Sequence, residues 1–254
     1  MRSTCIVALL LAAASAQTFD LTLLITRDVR GAAYPVTSST SQCDPANVLQ
    51  DRNIGSCDCL GGAARRRAYL GTGTSTTAAD VVSIDTGSYF SGSGTFYAAF
   101  NGTASATFFA DAGYEAFGLT YRDFGAGGPE GLRDYLREVT ALDSSMPKPV
   151  VTNYDGTGDT VLGDLIDEYS IISLGGGHNL AVLSLADPTH LEGTQPGYYA
   201  KLQTPFKQAI SVTLGKLRRL ATPPDVIAVI ISDIPLTDAA IGARESAALT
   251  AATN

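Results

Sequence analysis

Short apolar runs rich in β-branched residues alternate along this chain with segments whose apolar residues recur at helical spacing, and no other feature restricts the fold as much. Leu21–Thr26, Val81–Ile84, Val150–Val151, Tyr169–Leu174, Leu180–Leu185 and Val226–Ile231 read as strands. Ala63–Tyr69, Phe96–Ala112, Gly131–Val139 and Pro205–Leu220 read as helices, the last with Ile210, Leu214 and Leu217 on one face. Strands alternating with helices predict an α/β fold with right-handed crossovers. The strand segments are apolar enough to expect burial on both faces. Gly175-Gly176-Gly177 between two strands is a hairpin signal, so at least one antiparallel pair is expected. The expected architecture is a mixed β-sheet flanked by helices. No internal repeat or low-complexity linker divides the chain, and its length suits one buried core, so residues 17–254 are expected to form a single domain.

Residues 1–16 read differently. Met1-Arg2, the apolar stretch Cys5–Ala14 and the small residues Ala14-Ser15-Ala16 have the form of a secretory signal peptide cleaved after Ala16. The stretch is shorter than the roughly 20 residues a spanning helix needs. No later segment is long enough either, and Leu249–Asn254 has no lipid-anchor tail. A secreted protein without membrane insertion is expected. With 17 basic and 25 acidic residues the net charge is −8, which disfavours nucleic acid and anionic lipid as partners. The signal carries Cys5 away and leaves Cys43, Cys57 and Cys59, which in an oxidising compartment implies one bridge and one free thiol. A bridge across Asp58 alone would be strained, so Cys43 pairs with Cys57 or Cys59, and Cys59 is favoured. A Cys-Asp-Cys metal site is the alternative, although no His or second Cys pair lies nearby. Asn101-Gly102-Thr103 is a glycosylation sequon, which places that loop in solvent if it is used.

Functional residues in open α/β sheets gather where strands end. The loops to inspect are Arg27–Gly31, Asp85–Ser88, Thr120–Phe124 and Ser232–Ile234. Metal-dependent hydrolysis needs several carboxylate and imidazole ligands around ions about 3.5–4 Å apart. The histidines, His178 and His190, lie outside these loops and are expected to be surface or hydrogen-bonded structural groups. Ser88 and Ser232 have no histidine base to activate them, and Ser91-Gly92-Ser93-Gly94 is not a nucleophile elbow. Arg65-Arg66-Arg67 points in several directions around a helix and reads as a solvated face rather than an anion patch.

Taken in order, the loops resemble those of the calcineurin-like metallophosphoesterases, and their flanks resemble the 5′-nucleotidase branch of that family. Thr26-Arg27-Asp28-Val29-Arg30-Gly31 stands where that family has Thr-Asn-Asp-x-His-Gly. Cys59-Leu60-Gly61-Gly62-Ala63-Ala64-Arg65, Gly87-Ser88-Tyr89-Phe90-Ser91-Gly92 and Tyr121-Arg122-Asp123-Phe124 follow in the family's order. Gly113-Tyr114-Glu115-Ala116 and Pro129-Glu130-Gly131-Leu132 flank the last of these as in the family, so the likeness runs from Leu21 to Ile241. The resemblance implies a truncated α/β/β/α sandwich that stops before the family's last His-x-His loop and nucleoside-binding domain. It also implies a divalent metal pair, and here the pattern departs. Asp28 is the one ligand position retained, Arg30, Ser88 and Tyr121 replace ligands, and Arg122 replaces the catalytic His beside Asp123. The next family ligand position falls on Ser232 or Asp233.

A guanidinium neither binds metal nor donates a proton near neutral pH. The expectation is a secreted pseudoenzyme without a cofactor, acting by binding or as an extracellular structural component. In the loops, Asp28 and the arginines then form a metal-free ion-pair cluster, or Arg30 and Arg122 hold an anion without hydrolysing it. The alternative is a metal-dependent phosphoric monoester hydrolase of the 5′-nucleotidase type, or a fragment or subunit of one. A sheet edge left unpaired by truncation would expose backbone to a protein partner or a second copy.

Overall fold

The computed structural model describes residues 19–37, 43, 59–73, 80–91, 102–191, 193–202 and 205–231. Its first sheet has the order β1 (Leu21–Thr26), β4 (Asp80–Asp85), β5 (Ala116–Phe117), all parallel. Its second sheet places β7 (Asn179–Leu185) between β6 (Ser170–Ser173), antiparallel, and β8 (Val226–Ile231), parallel. The mixed α/β architecture expected from the sequence is the one observed. Gly175–Gly177 forms the turn between β6 and β7, with Gly176 at a φ of 68°. A separate ribbon pairs β2 (Val36–Thr37) with β3 (Cys59–Leu60), and a disulfide joins Cys43 to Cys59 with Cα atoms 5.9 Å apart.

Alternation along β7 shows how the layers arise. Leu180 and Val182 face the first sheet, where they pack with Val82, Ile84 and Ala116. Ala181, Leu183 and Leu185 face the other way, against Ile210, Leu214 and Leu217 of helix α6 (Phe206–Leu217). Every one of these side chains is buried, so the run of β7, apolar from Leu180 to Leu185 except at Ser184, is the signature of a strand covered on both faces. Each such Leu contributes about 1.5–3 kcal/mol by leaving water. Beyond the first sheet, Leu24 and Phe117 join a larger core with helices α1 (Ala63–Gly73), α2 (Thr103–Ala112) and α4 (Gly128–Leu142). In α4, Leu132, Tyr135, Leu136 and Val139 are the buried stripe at helical spacing. The layer order is helices, sheet, sheet, helix.

Two elements differ from the sequence reading. Val150–Val151 is not a strand, because its backbone changes partner at each residue. Val150 N donates to Phe117 O of the first sheet at 2.7 Å, Val151 N to Asp167 O at 2.9 Å, and Thr152 N to Ser184 O of the second sheet at 2.6 Å. The segment is a strap between the sheets. The helix expected to begin at Phe96 is described from Thr103, and Asn101 lies outside the described residues. Two short helices, α3 (Tyr121–Gly125) and α5 (Pro196–Tyr199), complete the elements.

Candidate functional site

Strands β1, β4 and β5 run parallel, so the loops that follow them meet at one end of the first sheet. Backbone hydrogen bonds lock the first two loops together: Thr86 N to Thr26 O at 2.9 Å, Asp28 N to Gly87 O at 3.2 Å and Arg30 N to Ser88 O at 2.7 Å. Asp28, Arg30 and Ser88 hold positive φ values of 52°, 51° and 61°. Left-handed backbone at a non-glycine residue costs of order 1 kcal/mol or more, and such strain collects at functional loops. Gly87, at a φ of 100°, has no room for a Cβ, which would lie 2.7 Å from Thr120 Cγ2.

The third loop is held by Asp123, which is 1% exposed. Its carboxylate accepts from Ser88 N at 2.7 Å, Phe90 N at 3.0 Å, Thr120 N at 2.9 Å and Thr120 Oγ1 at 3.0 Å. Thr120 caps α3 and completes a capping box with Asp123. Burial pushes the Asp123 carboxyl above the ordinary carboxylate range despite these donors. Asp123 is a staple between the second and third loops rather than a group aimed at a substrate.

Asp85 lies beneath them, fully buried at the end of β4. Thr26 Oγ1 donates to it at 2.5 Å and Gly87 N at 2.9 Å, while the Thr26 hydroxyl also meets Tyr114 OH at 2.8 Å. Desolvation drives its carboxyl up to about 7, offset in part by Thr26 and Gly87. The positive charge of Arg66, which donates to Tyr89 OH at 2.7 Å, also acts to lower it. The sequence named Asp85 as the start of a loop and gave it no role. Its signal was an Asp closing an apolar strand, which must be paired or protonated once buried. Arg65 and Arg66 are half-buried, and all three arginines of that run are tied to the structure: Arg65 to Cys59 O, Arg66 to Tyr89 and Arg67 to Ala112 O. The expected solvated face is therefore corrected at Arg65 and Arg66, which act as structural braces because Arg side chains reach back over neighbouring elements, while Arg67 is exposed.

Asp28 and Arg30 form an ion pair, Nε to Oδ1 at 2.7 Å, with side chains 39% and 50% exposed. Arg122 lies over the ring of Tyr121, 4.9 Å from its centroid. The Ser88 hydroxyl is 2.8 Å from Thr120 Oγ1. His178 stacks on Phe19 at 4.4 Å and its Nδ1 is 3.4 Å from Asp225, a structural setting remote from the loops. Cys57, Ser232 and Asp233 lie outside the described residues.

A divalent metal pair would need several carboxylate or imidazole groups with free lone pairs converging on one point. The described residues of the three loops do not fit. Asp85 and Asp123 turn both oxygens to internal donors, Asp28 is engaged by a guanidinium, and the remaining positions hold Ser88, Tyr121 and Arg122. Among the described residues no three His, Cys, Asp or Glu side chains are grouped to hold a metal.

No protein-family model matches the chain, and no curated protein matches it by sequence. Solved structures do match. A 5′-nucleotidase precursor from Thermus thermophilus superposes over 84% of this chain with a TM-score of 0.65 at 23% identity. The fold is that of the calcineurin-like phosphoesterases. The phosphoesterase fold is met again in an NAD nucleotidase from Haemophilus influenzae, at a TM-score of 0.61, 14% identity and 84% coverage. A calcineurin-like phosphoesterase from Bacillus subtilis matches over 84% of this chain and 62% of its own at 15% identity, with a TM-score of 0.54. The chain spans 37% and 34% of the two nucleotidases.

Proposed function

We propose that this chain is a secreted, non-catalytic member of the phosphoesterase fold that acts by binding or as an extracellular structural component. The observation that supports it most is the commitment of the loop carboxylates: Asp28 to Arg30, Asp85 to Thr26 and Gly87, Asp123 to Ser88, Phe90 and Thr120. A hydrolytic centre keeps such groups free for metal and substrate. The disulfide between Cys43 and Cys59 and the signal-like N-terminus support secretion. No helix among the described residues is long and apolar enough to cross a membrane. The reading extends to a partner protein or a second copy at a sheet edge, and what supports it is that β1 and β8 are paired on one side only among the described residues, with Ile25 and Ile227 exposed. Light scattering at high concentration tests that last element, and a clean monomer argues against the second copy.

The test of the main reading is to purify the secreted protein, quantify Zn, Mn and Fe, and assay hydrolysis of nucleotides and simple phosphomonoesters. Absence of both stoichiometric metal and turnover is expected. Metal at two ions per chain, with turnover abolished by Asp28→Ala, would overturn the reading in favour of a phosphomonoesterase of the 5′-nucleotidase type.

A further inference from the structure

Away from the three loops, Tyr154, Asp155 and Glu168 face helix α6 across a cleft of about 340 Å³, at the small end of the roughly 300–1,000 Å³ range of ligand pockets. From α6 the cleft takes Gln208, Val212 and Lys216, spaced four residues apart and therefore in one row, about 12 Å long at roughly 1.5 Å per residue. Its walls are held in place by their own hydrogen bonds. Thr152 Oγ1 donates to Glu168 O at 2.9 Å and accepts from Ser184 N of β7 at 3.0 Å. Glu168 accepts from Thr213 Oγ1 and Lys216 Nζ of α6 at 2.5 Å each, which ties one wall to the other. Tyr154 OH donates to Asp159 Oδ2 at 2.5 Å, and Asp155 N donates to Lys201 O at 2.8 Å. The charged side chains in the lining are Asp155, Glu168 and Lys216, negative in sum. Val212, 51% exposed, is the apolar member of a row whose other two residues are polar.

We infer that this cleft binds a neutral, polyhydroxylated ligand of the sugar type. Each hydroxyl of such a molecule both donates and accepts, and the lining offers partners of both kinds. Lys216 spends one of its three N–H donors on Glu168, Gln208 carries an amide, and Asp155 is an exposed acceptor. Hydrogen bonds from Thr157 hold the Asp155 carboxyl below the ordinary carboxylate range, so it accepts throughout the neutral range. Val212, Ala209 and the Tyr154 ring supply an apolar surface for the C–H face of a sugar ring. The negative sum of the lining disfavours an anion. A cation meets the Lys216 ammonium, and Glu168 is already paired with that ammonium. An apolar ligand would strip water from charged groups and give nothing back. Because the walls are fixed before a ligand arrives, little ordering is left to oppose binding. The inference goes beyond the non-catalytic reading and does not depend on it, since none of the lining residues belongs to the three loops.

The experiment is ligand-observed saturation-transfer NMR on the full protein with glucose, galactose, mannose and N-acetylglucosamine, each titrated separately, with choline and glutamate as the cationic and acidic comparisons. Saturable binding of at least one sugar is expected, nearly insensitive to added NaCl and stronger than that of choline or glutamate. Asp155→Ala and Gln208→Ala should each weaken it about tenfold or more. Val212→Trp, which fills the cleft from an exposed position, should abolish it. Arg133→Gln, on α4 and paired with Asp134, should leave it unchanged. Circular dichroism confirms folding of each variant, and the two alanine variants carry the test if the tryptophan variant does not fold. Absence of saturable binding by every sugar, or binding unchanged in the Asp155 and Gln208 variants, overturns the inference. Preferential binding of choline or glutamate overturns the ligand class. Either failure leaves the non-catalytic reading standing, whereas turnover of a phosphomonoester removes that reading and leaves the cleft untouched.

Discussion

Replacing Asp85 with Asn should stabilise the protein at alkaline pH and leave it nearly unchanged in acid. Asp85 is fully buried, and its carboxyl is raised from 3.8 to about 7, chiefly by desolvation. The folded state therefore binds a proton that the unfolded chain releases between those two values, so stability falls as pH rises through that window and levels off above it. At about 1.4 kcal/mol for each factor of ten in proton affinity, the ceiling is roughly 4 kcal/mol. An Asn carbonyl can accept from Gly87 N, and its amide can donate to Thr26 Oγ1, which then turns its proton to Tyr114 OH; these are the contacts of the protonated acid. Arg66 and Asp123, the charged groups acting on Asp85, remain in both proteins. Asp123 also titrates upward, and its contribution cancels to first order in the comparison. Urea unfolding of both proteins at pH 4 and pH 8 measures the difference. A variant no more stable than wild type at pH 8, or equally more stable at both, would refute the assignment of a buried, proton-holding carboxyl.

Gly118→Ala should cost about 1–3 kcal/mol by thermal melt, because an added Cβ would press on Ser184 Oγ where the two sheets approach each other. Ser184→Ala in the same chain should recover part of that loss, since the remaining Cβ contact at 3.2 Å is only tight and the Ser184 hydroxyl is buried without a partner. Asp123→Ala should expose the second loop, leaving the Ser88 and Phe90 amides without acceptors at about 1–3 kcal/mol each. Hydrogen exchange at those amides should quicken while exchange in β7 follows only the global loss. Cys43→Ser should lower stability by about 3 kcal/mol, the entropy of freeing a loop with a sequence separation of 16. Denaturant midpoints with and without reductant measure it, and wild type under reductant should approach the variant.

The sequence by itself determined the layers. Leu180–Leu185 is apolar at every position but Ser184, and only a strand covered on both faces buries it; Val226–Ile231 reads the same way but lies at a sheet edge, with Ile227 exposed. Stripes such as Leu132, Leu136 and Val139 then supply the helices that do the covering. Glycines at 175–177 fixed the antiparallel turn, because few other residues tolerate the left-handed backbone it needs. The order of the loops, with Arg30, Ser88 and Arg122 in them, was equally legible, since their identities are local facts. Tertiary structure alone decided what their neighbours do. Two-residue strands such as Ala116–Phe117 carry no period to read, and the Val150–Thr152 strap exists only because two sheets lie on either side of it. The roles of Asp85 and Asp123 depend on donors brought from segments up to 59 residues away. An Asp in sequence is an acid of ordinary strength; whether it becomes a proton-holding floor, a loop staple or half of an exposed ion pair is set by burial and by which donors the fold delivers to its oxygens.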